Sequence, residues 1–170
     1  RPLTWFELVT LFAFLCFKNA QVDWAVYEVG LGGRLDATNI LRPKLCCITP
    51  IELEHSEFLG DTIEKVAAEK AGIIKKCTPV IVAKQQSESV KNVFKEKAKE
   101  NYAPCYFIDE LVNKIEYTFD SNSKSMSILL ESPIFDRQIK TNLSLLGSKH
   151  AENAAMAAVA IKKLFPNMDE

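Results

Sequence analysis

Three short apolar runs constrain this chain more than anything else in it. Leu45–Thr49, Pro79–Ala83 and Ala103–Ile108 are separated by stretches with helical spacing. Runs of this length, bounded by turn residues, read as buried strands. Strands that alternate with helices imply crossover connections and an open parallel sheet. Asp23–Val29 alternates poorly and reads as one more internal strand of that sheet. The expected fold is therefore α/β, with an open, mostly parallel sheet flanked by helices.

The other elements follow in order. Thr4 with Glu7 three residues on makes a capping box for a helix to about Lys18. Apolar residues cover nearly all faces of that helix, which predicts burial on two sides. Pro50–Gly60 reads as a loop, Asp61 as the cap of a helix to about Ile73, and Ser87–Glu100 as a charged amphipathic helix. After Ile108 the pattern changes. Ile115–Phe119 and Met126–Leu130 flank Ser121–Lys124 and read as an antiparallel hairpin. Phe135–Leu145 adds a strand and Gly147 ends it. A helix from about Lys149 to Phe165 follows, rich in alanine on its Ala154, Ala157, Ala158 and Ile161 side. There is no repeat, low-complexity tract or linker, so residues 1–170 read as a single domain.

Composition excludes several function classes. The chain is 48% hydrophobic and 25% charged, with a net charge of -1. That gives no electrostatic reason to expect nucleic acid or an anionic membrane. Leu8–Phe17 is apolar but shorter than the roughly 20 residues a membrane span needs. Five cysteines, Cys16, Cys46, Cys47, Cys77 and Cys105, show no CxxC spacing. They predict free thiols in a reducing compartment. Cys46 and Cys47 should point to opposite faces of their strand.

The candidate site residues lie in Val26–Asn39, VYEVGLGGRLDATN, and in the loop and helix that follow. Glu28 interrupts a run that should be buried, close to a strand end where ligands of α/β sheets bind. It reads either as a metal or ligand contact or as a salt bridge to Arg34 or a lysine. Gly30, Gly32 and Gly33 permit a tight turn, but the spacing is not GxGxxG, because position 35 is leucine. Asp36 and Asn39 suit a turn. His55, among Glu52, Glu54 and Glu57, is either a solvated loop residue or, with Glu28, a ligand for a divalent cation such as Mg²⁺. Lys70 shares a helix face with Ile63, Val66, Ala67 and Ile74. It is either a buried, reactive amine or a lysine that snorkels from the stripe's edge. Asn153 sits early in the last helix, near Lys149 and His150.

VYEVGLGGRLDATNI resembles the signature of the folylpolyglutamate synthase/dihydrofolate synthase family, a branch of the Mur ligase superfamily. Residues 48–76, ITPIELEHSEFLGDTIEKVAAEKAGIIKK, resemble its second motif. LTWFE at 3–7 and LLGSKHAENAA at 145–155 resemble two further segments, in the family's order. The resemblance implies a ligase that uses ATP to phosphorylate a carboxylate and then joins it to the amine of glutamate. It implies that Glu28 and His55 hold Mg²⁺, that Lys70 is a carbamylated lysine, and that Asn153 contacts ATP. It places Thr4, Trp5, Phe6, Glu7, Leu35, Asp36 and Ala37 against the pterin of folate or dihydropteroate.

Departures accompany the match. The family's GxHQxxNA reads Gly147-Ser148-Lys149-His150-Ala151-Glu152-Asn153-Ala154 here, and Glu54 stands where aspartate is usual. The family's phosphate-binding loop would precede Arg1, and its C-terminal Rossmann-like domain would follow Glu170. On its own the chain is therefore expected to be inactive. Its expected partners are small molecules: folate or dihydropteroate, glutamate and ATP. It is expected to be a monomer in the cytoplasm, or in the mitochondrion of a eukaryote. The alternative is a folate-binding module that has lost ATP chemistry.

Overall fold

The computed structural model describes residues 2–54, 56–120 and 124–168. Helix α1 spans Trp5–Ala20, and a 3-10 turn spans Ala37–Ile40. Strand β1 is Cys46–Ile48, α2 is Ser56–Leu59, α3 is Ile63–Ala71 and β2 is Val80–Val82. Helix α4 is Glu88–Glu100, β3 is Cys105–Phe107 and α5 is Ile108–Leu111. Strands β4, Lys114–Asp120, β5, Ser125–Glu131, and β6, Ile139–Leu143, precede α6, Ser148–Leu164.

Strands β1, β2 and β3 form a parallel sheet in that order. Strand β2 lies in the middle and is buried along its whole length, as its Val-Ile-Val sequence requires. Its side chains alternate between two cores. Val80 and Val82 pack with Cys46 and Ile48 against Val66, Ala67 and Ala71 of α3 and Val90, Phe94 and Ala98 of α4. Ile81 points the other way, into a core with Met126, Ile128 and Leu130 of β5 and Ala151, Ala155, Met156 and Val159 of α6. Strands β4, β5 and β6 form a separate antiparallel sheet. Along β5, buried Met126, Ile128 and Leu130 alternate with more exposed residues, the period-2 pattern of a sheet with one covered face. The hairpin expected at Ser121–Lys124 is there as the β4–β5 pairing, although residues 121–123 lie outside the described residues.

Three expectations are corrected. Asp23–Val29 is not a strand of the sheet and has no regular secondary structure. A strand exists only by pairing, and this segment makes no ladder among the described residues; Val26 is 95% exposed. Aromatic contacts hold it instead: Tyr27 against Phe14 and Phe17 at 5.1 and 5.6 Å, and Trp24 against Phe165 at 4.9 Å. Helix α1 is not covered on two sides, since Thr10 is its only buried residue among those described. The cap of α3 is Thr62, not Asp61, because Thr62 Oγ1 accepts from Lys65 N–H while Asp61 takes the Lys65 ammonium at 2.6 Å. In α6 the fully buried line runs through Ala151, Ala155, Met156 and Val159, and Ala154 and Ala158 of the alanine-rich side pack against the same core.

All five cysteines are free. Cys46 is buried and Cys47 exposed, as opposite faces of one strand. Burial pushes the Cys46 thiol up to about 11.

Candidate functional site

The glycine stretch is a loop that locks onto itself and onto α3. Asp36 draws its two ends together. One of its oxygens accepts from Gly30 and Leu31 N–H at 3.0 and 3.1 Å; the other accepts from Thr38 N–H at 2.9 Å and from the Thr38 hydroxyl. Partial burial alone would raise the Asp36 pKa, but these hydrogen bonds from Thr38, Leu31 and Gly30 together hold it below the ordinary carboxylate value. The loop then docks on the end of α3. Arg34 N–H donates to Glu69 C=O at 2.9 Å, and its guanidinium forks onto the Glu69 carboxylate at 3.0–3.2 Å. Asn39 Nδ2 donates to Arg34 C=O and to Gly72 C=O.

Glycines make this approach possible. A Cβ on Gly33 would stand 2.8 Å from Glu69 C=O, and one on Gly72 only 2.4 Å from Arg34 Cβ. Gly32 has φ +67, a conformation suited to glycine. The turn-forming reading of Asp36 and Asn39 therefore describes their contacts in this structure.

Between α1 and this loop lies an open cleft of about 350 Å³. Its walls include Thr4, Phe6 and Glu7 from the start of α1 and Leu35, Asp36 and Ala37 from beyond the glycines, together with Arg34, Phe58, Leu59 and Glu69. The capping box fixes the α1 side: Glu7 N–H donates to Thr4 Oγ1, and Thr4 N–H donates to the Glu7 carboxylate at 2.7 Å. The Phe6 ring lies against Gly30, where a Cβ would meet its tip at 2.7 Å. Six of the seven residues expected at the pterin thus share one cleft. Trp5 does not line it; one step around the helix from Phe6, it is 80% exposed. Sequence reasoning missed Phe58, Leu59, Arg34 and Glu69 as walls of the cleft.

The residues expected at metal and nucleotide are less gathered. Glu28 is exposed rather than buried, because the segment carrying it is not enclosed by a sheet. It makes no salt bridge with Arg34, which pairs with Glu69. His55 lies outside the described residues. Lys70 is not sealed in the core. Its side chain is 24% exposed, and its Nζ reaches Glu54 Oε1 at 3.5 Å, as the snorkelling reading describes. Asn153 is exposed in α6. Lys149, near it, pairs with Glu52 at 2.9 Å, which lowers the Glu52 pKa and raises that of Lys149. Among the described residues no three His, Cys, Asp or Glu side chains converge on a point that would hold a metal. Glu28 offers hard oxygens, the donor chemistry that suits Mg²⁺ when water and phosphate supply the other ligands. No helix of the described residues is long and apolar enough to cross a membrane.

A parallel sheet backed by two helices, with a glycine loop bolted to the end of one of them, defines an α/β domain, and comparison with known proteins gives its family. The family model described as the Mur ligase middle domain matches residues 5–161. The chain belongs to that family, on its folylpolyglutamate synthase/dihydrofolate synthase branch. It is 36% identical over 162 residues to the dihydrofolate synthase/folylpolyglutamate synthase of Bacillus subtilis, covering 95% of this chain and 37% of that protein. A solved FPGS–AMPPCP–folate complex superposes with a TM-score of 0.87 at 29% identity, over 97% of this chain and 39% of the other. The Mycobacterium tuberculosis folylpolyglutamate synthase complexed with ADP gives 0.82 at 30% identity, over 98% and 38%. The chain thus spans less than two fifths of the length of these relatives.

Proposed function

We propose that this chain is the middle portion of an ATP-dependent ligase that adds glutamate to folate or dihydropteroate. ATP would phosphorylate the acceptor carboxylate, releasing ADP. The glutamate amine would then attack the acyl phosphate, forming the amide and releasing phosphate. The observation that carries the reading is the cleft in which α1 and the glycine loop bring Thr4, Phe6, Glu7, Leu35, Asp36 and Ala37 together. It offers an aromatic face at Phe6 and polar groups at its rim, which suits a flat heteroaromatic ring.

In this reading Asp36 shapes the cleft by holding the loop rather than by meeting the pterin with a free carboxylate. Glu28 and His55 are the residues that would hold Mg²⁺, which when bound supplies charge neutralisation at phosphate oxygens. Lys70, with Glu54 beside it, would stand on the phosphate side as a carbamylated lysine, and Asn153 would contact the nucleotide. The full-length protein is proposed to be a cytoplasmic or mitochondrial monomer. Support for ATP and folate as ligands comes from the AMPPCP, ADP and folate complexes of the relatives.

The deciding experiment supplies the full-length protein with Mg-ATP, glutamate and either dihydropteroate or folate, and follows the amide product by mass spectrometry. Glutamate addition is expected, with loss of turnover in Glu28→Ala and retained folate binding. No product from either acceptor would sink the ligase reading. Binding without turnover would favour the folate-binding module, and an active Glu28→Ala would remove the metal assignment. The 170 residues alone are expected to give no turnover.

A further inference from the structure

Gln85 is one of three buried polar side chains among the described residues, and it lies outside every site described above. It follows the end of β2, where the parallel ladder with β1 runs out. Cys46 N–H donates to Pro79 C=O at 2.9 Å, and Ala83 N–H donates to Ile48 C=O at 2.8 Å. Continued at the same spacing, the ladder's next rung would run from the N–H of residue 50 to Ala83 C=O. Residue 50 is proline and has no N–H.

The Gln85 side chain fills the gap. Its Nε2 donates to Ala83 C=O at 2.8 Å, and its Oε1 accepts from Ile51 N–H at 3.1 Å. Both bonds are buried, and both ends of the amide are used. One side chain thereby satisfies a carbonyl and an N–H that burial would otherwise leave without partners.

This rung governs the loop that leaves β1. Ile51 is fully buried. Beyond it, among the described residues, Glu52 and Glu54 are tied by ion pairs near the surface, to Lys149 at 2.9 Å and to Lys70 at 3.5 Å. Such pairs hold a loop weakly, whereas a buried amide with two partners holds it firmly. We propose that Gln85 is a positioning residue: it replaces the ladder rung that Pro50 cannot make and so directs the chain that carries Glu52 and Glu54. The catalytic consequence rests on the ligase reading; the anchoring does not.

The test uses full-length protein carrying Gln85→Glu, Gln85→Met, and Gln85→Met combined with Pro50→Ala. Hydrogen–deuterium exchange reads the peptides covering 49–59, with α6 as the internal control. Both single variants are expected to exchange faster in 49–59 and unchanged in α6. Pro50→Ala restores an N–H for Ala83 C=O, so it should slow that exchange again in the Gln85→Met background. A general loss of packing would not be rescued in this way. Misdirection of the loop is expected to lower kcat by about ten- to a hundredfold. KM for the pterin substrate should change less than kcat, because of the cleft's walls only Phe58 and Leu59 lie in this segment. Unchanged exchange in both single variants overturns the anchoring, and faster exchange with an unchanged kcat overturns the positioning role. Should Gln85→Met fail to fold, Gln85→Glu, which keeps the acceptor for Ile51 N–H, carries the test. If the wild-type protein ligates nothing, the ligase reading fails, and exchange with its rescue decides the anchoring alone.

Discussion

Asp36 shows how one side chain can organise a cleft through its own hydrogen bonds. Four donors converge on its two oxygens, so its carboxylate is spent on the loop from Gly30 to Thr38. Asp36→Asn keeps the shape but replaces an acceptor oxygen with a donor, and Asp36→Ala removes all four bonds. Asp36→Ala is expected to lose about 1 kcal/mol or more of stability at pH 7, the typical cost of a lost cap. Because the folded pKa lies below the ordinary value of 3.8, the stabilisation is complete above that value. It is lost as pH falls through the folded pKa. Urea denaturation of wild type and Asp36→Asn at neutral pH and below pH 4 checks this. The gap between the two proteins should narrow in acid, and a constant gap would refute the assignment.

At the scale of elements, the site depends on two backbones meeting without side chains between them. Gly72, just past α3, faces Arg34 across the join. A methyl group at Gly72 would meet Arg34 Cα at 2.5 Å and Cβ at 2.4 Å, and backbone cannot swing aside as a side-chain tip can. Gly72→Ala is therefore expected to cost about 1–3 kcal/mol and to separate the glycine loop from α3. Urea midpoints measure the stability, and folate affinity of the full-length protein measures the cleft. An unshifted midpoint would show that the loop is not bolted to α3 as described. The cap of α1 was readable from the spacing of Thr4 and Glu7, because the two ends of a capping box are only three positions apart. The Arg34–Glu69 fork joins residues 35 apart, and no local pattern announces it.

For the molecule as a whole, the uneven feature is α1. Trp5, Phe12 and Leu15 are 80%, 67% and 49% exposed, and Val26 in the neighbouring segment is almost fully so. Large apolar side chains exposed along one helix offer a surface to which apolar groups can bind. The 170-residue polypeptide on its own is expected to bind a hydrophobic dye in its native state. Phe12→Lys should weaken that binding with little change in thermal midpoint, since Phe12 is mostly exposed. Dye binding unchanged in Phe12→Lys would show that this surface is not the one responsible.

The sequence by itself determined the elements whose cause is local. Buried Val80–Val82, the amphipathic α4, the β4–β5 hairpin and the cap of α1 each follow from spacing within a few residues. It also placed six of the seven expected pterin-side residues in stretches that do meet at one cleft. Tertiary structure alone decided whatever depends on a distant neighbour. Asp23–Val29 has strand composition but no partner strand among the described residues, so Glu28 is exposed. Lys70 shares a helical face with core residues yet reaches Glu54 at the surface. The physical reason is the same in each case. Periodicity says which side of an element is apolar, while pairing and burial are set by what the rest of the chain brings against it.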